Sequence, residues 1–178
     1  VLDSIIQEIN IASGKVLWEW HAYGHIHLSE SYAGRPTSAP YDFFHINSVQ
    51  PLSNGNLLVS ARNTWTVYEV NMQTGKIPYN IGGKHSSFRF GSGANFAWQH
   101  DAQMLSDGTL TVFDDGAGYY RSESQSRGLR LSLNYSSRAV SLVHAYTNSP
   151  SVLSNSQGSV QVLPDGNTFV CFGRSPYF

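Results

Sequence analysis

The sequence contains little charge, a single cysteine and no long apolar run. Only 13% of its 178 residues are charged, and the net charge is −1 without any basic block. Nucleic-acid binding therefore has no electrostatic basis here, because phosphate neutralisation requires clustered lysine and arginine side chains. No stretch approaches the roughly 18 apolar residues of a membrane-spanning helix, so we expect no membrane span. The lone Cys171 excludes an intramolecular disulfide.

What the chain does contain is aromatic residues, 13% of the total, and short strands that end in glycine turns. Three segments share one pattern, a polar-rimmed strand followed by an Asn-Gly or Asp-Gly turn: residues 45–55, 98–108 and 156–166. Such dipeptides readily adopt the positive φ angles of tight hairpins. The turn glycines lie 53 and then 58 residues apart. This spacing is close to that of one four-stranded blade of a β-propeller.

Period-2 alternation of β-branched and aromatic residues predicts an all-β fold of antiparallel four-stranded blades. We expect one β-propeller domain over residues 1–178, with the end of one blade at 1–20, blades at 41–83 and 97–146, and the start of a further blade at 156–178. That is about three blades' worth, and we expect the remaining blades to belong to a longer protein. Strands are predicted at 45–52, 56–62, 65–71, 76–82, 99–105, 109–114, 128–134, 139–146, 157–163 and 167–173.

Four polar residues are predicted to meet at the mouth of the central channel. The first strand of each blade lines this channel, so equivalent positions of successive blades converge on one axis. Counted back from the turn glycines, Asn47 and His100 are equivalent, and His45 lies two residues earlier on the same predicted strand face. Arg62 ends the returning strand, which places it beside His45. A guanidinium with two imidazoles favours a sulfate, phosphate or carboxylate site; the alternative is that these residues join neighbouring blades.

Other patterns point less clearly to chemistry. His21, His25 and His27 share one loop, but no cysteine or carboxylate set completes a zinc site, so we expect no metal. The run Asp114-Asp115-Gly116 is typical of an Asx turn rather than of a cation site. Asp101 alternates to the other face of its predicted strand, which favours a hydrogen bond between blades.

Several segments together resemble the arylsulfotransferase (aryl-sulfate sulfotransferase) family. They occur in the order found in that family, and the resemblance is strongest from residue 41 to residue 116. The segments are Asp42–Val49, Asn56–Arg62, Ile81–Gly83, Trp98–Ala102 and Phe113–Gly116.

The resemblance implies a six-bladed propeller and ping-pong transfer of a sulfuryl group from an aryl sulfate to a phenol acceptor, with no cofactor. By position His100 is the nucleophile that becomes sulfated, and His45 and Arg62 hold the sulfate oxygens. A neutral imidazole is a competent nucleophile, and a covalent intermediate divides one difficult step into two. The chain departs from the family pattern in two ways. Nothing matches a further active-site histidine of an earlier blade, and Asp115 stands where Asn is more usual.

The same residues are also compatible with two other functions. A lyase or hydrolase of acidic polysaccharide would use His100 or His45 as an acid or base, and Arg62 to neutralise a uronate carboxylate. A non-catalytic binding or scaffold propeller would use the histidines only to join blades. We expect a secreted or periplasmic protein, and the N-glycosylation sequon at residues 134–136 is one sign of secretion.

Overall fold

The computed structural model describes all 178 residues as an all-β fold. Its only helical elements are two 3₁₀ turns, and none is long and apolar enough to cross a bilayer. The turns are Leu28–Glu30 and Arg62–Thr64, and the strands are β1 Ile5–Ile9, β2 Val16–His21, β3 Ile46–Pro51, β4 Asn56–Ala61, β5 Thr66–Asn71, β6 Tyr79–Gly82, β7 Arg89–Phe90, β8 His100–Met104, β9 Thr109–Asp114, β10 Arg127–Asn134, β11 Ala139–Tyr146, β12 Ser159–Val162 and β13 Thr168–Cys171.

Four sheets follow one another along the chain. The first pairs β1 with β2, the second has the order β3-β4-β5-β6, and the last pairs β12 with β13. The third has the order β7-β11-β10-β9-β8, and β7 joins β11 in parallel whereas all other strand pairs are antiparallel. The predicted strands are confirmed to within three residues at either end. Strands β1 and β2 lie where only the end of a blade was predicted, at 1–20, and β7 was not predicted at all, because two residues are too few to show alternation.

Apolar side chains between consecutive sheets form three cores. The core between the first and second sheets contains Trp20 and Val59, and the next, towards the third sheet, contains Leu58 and Leu129. A smaller core around Phe113 joins the third sheet to the fourth. Neighbouring residues of β4 thus enter different cores. A strand covered on both faces reads as a continuous apolar run, as β4 does.

The backbone is unusual just before strands β3 and β8. His45 and Trp98 have φ angles of 61° and 59°, and each lies ten residues before its turn glycine. Such left-handed angles are uncommon for residues other than glycine. In β3 the pairing with β4 then skips Asn47 in a bulge. The strand alternation predicted to run from His45 to Asn47 is therefore wrong at this point, because His45 precedes the strand.

Candidate active site

The hairpin β3–β4 brings His45 and Arg62 together. The backbone N–H of Arg62 donates to the carbonyl oxygen of His45 at 3.0 Å, so the predicted position of Arg62 beside His45 is confirmed. Arg62 begins the 3₁₀ turn after β4 and is only 8% exposed. The His45 side chain is 43% exposed, and its Nδ1 lies 2.5 Å from Oδ2 of Asp42. One hairpin therefore provides a buried cation and an accessible imidazole.

His100 and Asp115 form a buried pair at the corresponding hairpin of the third sheet. His100 starts β8, and Asp115 directly follows the end of the neighbouring strand β9. Nδ1 of His100 lies 2.7 Å from Oδ2 of Asp115, and the two residues are 9% and 0% exposed. The second carboxylate oxygen of Asp115 is buried without a hydrogen-bond partner. Because Asp115 engages Nδ1, Nε2 is the ring nitrogen left for chemistry.

Burial and neighbouring charges control protonation in this pair. Burial, followed by the charges of Arg62 and His45, lowers the pKa of His100 to about 4. Burial raises the pKa of Asp115 to about 10, against the opposing positive charge of Arg62, so its carboxyl holds a proton near neutral pH and must release it before His100 can act as a nucleophile. In the form that can act as a nucleophile, His100 is neutral, its Nδ1–H donates to the Asp115 carboxylate, and Nε2 keeps its lone pair. Arg62 then balances the charge of the carboxylate.

The Arg62 guanidinium is fixed by contacts on several sides. Its Cζ lies 5.1 Å from the ring centroid of Trp98 and 5.6 Å from that of Tyr119. Nη1 donates to Oδ1 of Asn63 at 3.2 Å, and Nη2 donates to the carbonyl oxygen of Asn155 at 3.0 Å. Nε is buried without a hydrogen-bond partner. Arg62 is thus a positioned cation whose hydrogen-bonding capacity is not exhausted.

An open cleft of about 300 Å³ lies over this arginine. It is built from the β3–β4 hairpin, the insertion at 115–127 and the segments flanking β12 and β13, and no aspartate or glutamate lines it. A cleft lined by cations attracts anions. His100 does not line it, although the charges of Arg62 and His45 act on its pKa. The lining residues are His45, Arg62, Gly118, Tyr119, Asn155, Ser156 and Arg174.

Two polar residues of the first strands link sheets instead of lining the cleft. Asn47 Nδ2 donates to the carbonyl oxygen of Gln99 at 2.6 Å, and its Oδ1 is buried without a partner. The Asp101 carboxylate accepts from the backbone N–H of Val160 in β12 at 3.2 Å. The hydrogen bond predicted for Asp101 is confirmed as one between consecutive sheets. Asn47 thus fixes the backbone next to His100.

Sequence reasoning missed Asp115 as the partner of His100, and Tyr119 and Arg174 as cleft residues. One signal for Asp115 was available, since it lies seven residues after its turn glycine, as Arg62 does. No sequence signal marks Arg174, which reaches the cleft only through the packing of the fourth sheet. In the loop that begins at His21, His25 stacks on Trp20 with ring centroids 5.1 Å apart. No group of three or more His, Cys, Asp or Glu residues is placed to hold a metal ion.

A buried His–Asp pair near a cationic cleft is suited to the transfer of an anionic group. The family model described as Arylsulfotransferase (ASST) matches residues 1–177, so the chain belongs to the arylsulfotransferase family. This confirms the resemblance predicted from the motifs, and it indicates a transferase that acts on small molecules. No curated protein matches the chain.

Proposed function

We propose that the protein transfers a sulfuryl group from a phenolic sulfate ester to a phenol through a sulfated His100. The observation that carries this proposal is the buried pair of His100 and Asp115, 2.7 Å apart, under the influence of Arg62. Burial keeps the imidazole neutral, which a nitrogen nucleophile requires. The hydrogen bond at Nδ1 directs the lone pair to Nε2.

Each half-reaction exchanges one bond to sulfur. First, Nε2 of His100 attacks sulfur, the bond between sulfur and the phenolic oxygen breaks, and the phenolate leaves with the electron pair. The Nδ1–H of His100 stays hydrogen-bonded to the Asp115 carboxylate, which stabilises the positive charge that develops on the ring as the N–S bond forms. The oxygen of the acceptor phenol then attacks sulfur, the N–S bond breaks, and its electron pair returns to Nε2. The proton of the acceptor passes to the released phenolate through solvent.

In this proposal Arg62 and His45 hold the sulfuryl oxygens. Both line the cleft, and Arg62 is already fixed by Trp98 and Tyr119, so it needs little reorganisation during the reaction. A sulfate-binding role for Asn47 stays a prediction. The contact that Asn47 makes to Gln99, next to His100, supports a positioning role.

We further propose that the four sheets are successive blades, complete or partial, of a propeller, six-bladed as the family resemblance implies. The sheets pack in chain order with a core between each pair. The three strands predicted to line the channel, β3, β8 and β12, also neighbour one another, since β8 contacts both β3 and β12. Neighbouring inner strands support an arrangement around one axis. An experimental structure in which the four sheets stack in parallel around no common axis would refute it.

Mass spectrometry tests the proposed transfer directly. After incubation with 4-nitrophenyl sulfate, the peptide containing His100 should gain the mass of one sulfuryl group, with a matching burst of nitrophenolate. His100→Gln should lose both signals, while His144→Gln, which removes an exposed histidine outside the site, should keep them. Wild-type protein that shows neither adduct nor nitrophenolate would refute the proposal. Unsaturated or reducing ends released from an acidic polysaccharide would indicate the lyase or hydrolase instead.

A further inference from the structure

The cleft contains a second guanidinium, from Arg174. Arg174 is exposed, and only its backbone N–H is hydrogen-bonded, to Oγ of Ser154 at 3.2 Å and the carbonyl oxygen of Ser156 at 3.3 Å. Its side chain forms no ion pair within the chain, and no carboxylate lines the cleft. Arg62, in contrast, is buried and held on several sides. The cleft therefore combines a fixed inner cation with an uncompensated cation at its rim.

Tyr119 provides the apolar wall of this otherwise polar cleft. Its residue is 64% exposed, yet its ring packs edge-on against Trp98, with centroids 5.7 Å apart and planes inclined by 63°. The backbone at Gly118 lies directly on the same groups. A Cβ there would come within 2.5 Å of Trp98 and 2.8 Å of Nη2 of Arg62. The insertion thus holds an exposed aromatic ring beside the inner arginine.

We propose that the preferred substrate is a phenyl sulfate or phenol whose ring carries a second anionic group, such as a carboxylate. The ring lies against Tyr119, the sulfuryl group faces Arg62, and the second anion binds Arg174. A guanidinium without a protein carboxylate is suited to bidentate binding of a ligand carboxylate. A cleft of about 300 Å³ is at the lower end of ligand-site volumes, which suits one aromatic ring. This inference rests on the proposed sulfuryl transfer at His100.

Binding of two sulfonates tests the role of Arg174 without any transfer. Benzenesulfonate and 4-sulfobenzoate differ only by a carboxylate, and their sulfur is bonded to carbon, so no phenolate can leave. Wild-type protein should bind 4-sulfobenzoate about tenfold more tightly, and Arg174→Gln should abolish this preference. Arg35→Gln, which removes an exposed arginine outside the cleft, should preserve it. Equal affinity of wild-type protein for the two sulfonates, or binding of neither, would overturn the inference.

Turnover separates this inference from the proposed function. The ratio of kcat/KM for 4-carboxyphenyl sulfate to that for phenyl sulfate should fall about tenfold in Arg174→Gln, with partial recovery in Arg174→Lys. Tyr119→Ala should weaken binding of both sulfonates equally, and Tyr119→Phe should restore it, because the ring and not the hydroxyl makes the contact. A sulfonate preference without turnover of either ester would refute the transfer at His100 alone. Turnover of both esters without any carboxylate preference would refute the assignment of Arg174 alone.

Discussion

The His45–Asp42 pair and the His100–Asp115 pair have the same contact in different surroundings. In each, Nδ1 meets a carboxylate oxygen, at 2.5 Å for His45 and 2.7 Å for His100. The His45 side chain is 43% exposed, whereas that of His100 is 11% exposed and its carboxylate partner is fully buried. Water can screen the first pair but not the second. Burial thus makes His100 the candidate nucleophile, whereas the accessible His45 is a candidate contact for an anion in the cleft.

The origin of the carboxylate also differs between the pairs. Asp42 precedes His45 by three residues, so a short segment forms that contact locally. Asp115 reaches His100 across the β8–β9 hairpin, at the position that Arg62 holds in the preceding sheet. One sheet therefore contributes the arginine, and the next contributes the carboxyl group. Arg62 and Asp115 occupy the same position of the two hairpins, so the site receives side chains of opposite charge type from neighbouring sheets.

Removal of each histidine gives the largest expected contrast. His100→Gln should lower nitrophenolate release by about a thousandfold or more, because no nucleophile remains. His45→Gln should lower it by only about tenfold, because one oxygen contact is lost. Steady-state rates with 4-nitrophenyl sulfate measure both effects, and circular dichroism checks that the variants fold. Equal losses in the two folded variants would contradict the division of roles.

Substitution of the two carboxylates is expected to show the same contrast, with a larger loss of rate at Asp115 than at Asp42. Asp115→Asn should lower the rate about a hundredfold, since an amide does not balance the positive charge of the sulfated ring and favours the wrong tautomer of His100. Asp42→Asn should change it by less than about threefold, because solvent reaches the His45 pair. The burst and steady-state phases of nitrophenolate release are the measurement. A larger effect at Asp42 than at Asp115 would reverse the comparison.

Substitution of Arg62 tests whether its geometry matters beyond its charge. Arg62→Lys keeps a cation but loses the planar fork that Trp98 and Asn155 position, so the rate of His100 sulfation should fall about thirtyfold. The control is Arg130→Lys, because Arg130 pairs with Asp107 outside the cleft. Single-turnover kinetics report the effect on sulfation. An unchanged sulfation rate in Arg62→Lys would show that only the charge is needed.

The smallest expected effect is on stability, and its sign follows from the lowered pKa of His100. Between about pH 6.5 and about pH 4, the unfolded chain binds a proton at this residue that the folded chain does not, so His100 destabilises the fold as pH falls. The limiting slope is about 1.4 kcal/mol per pH unit. The raised pKa of Asp115 has the opposite effect on stability, because the carboxyl of the folded chain retains a proton that the unfolded chain releases. Asp115 therefore stabilises the fold as pH falls.

Comparison with His100→Gln isolates this contribution, because both proteins retain Asp115. The free energy of unfolding in urea should fall more steeply for the wild type than for His100→Gln between pH 6.5 and pH 5. Parallel curves for the wild type and His100→Gln would show that the imidazole titrates alike in the folded and unfolded chains.

Local patterns were sufficient to predict the strands, the turns at Gly55 and Gly108, and the position of Arg62 beside His45. Each of these depends on neighbouring residues, through side-chain alternation or through the geometry of a short hairpin. The same patterns failed for His45 and Asn47, where a left-handed residue and a bulge interrupt the strand. Such a break is a response to packing, and alternation alone does not reveal it.

By itself, the amino-acid sequence determined the all-β class and the family, because these depend on periodicity and on ordered motifs along the chain. Only the tertiary structure decided which histidine is buried, that Asp115 is the partner of His100, and that Tyr119 and Arg174 share a cleft with Arg62. Exposure and charge balance depend on which sheets cover a residue. Those sheets come from segments spread over residues 45–174, so no local pattern encodes the result.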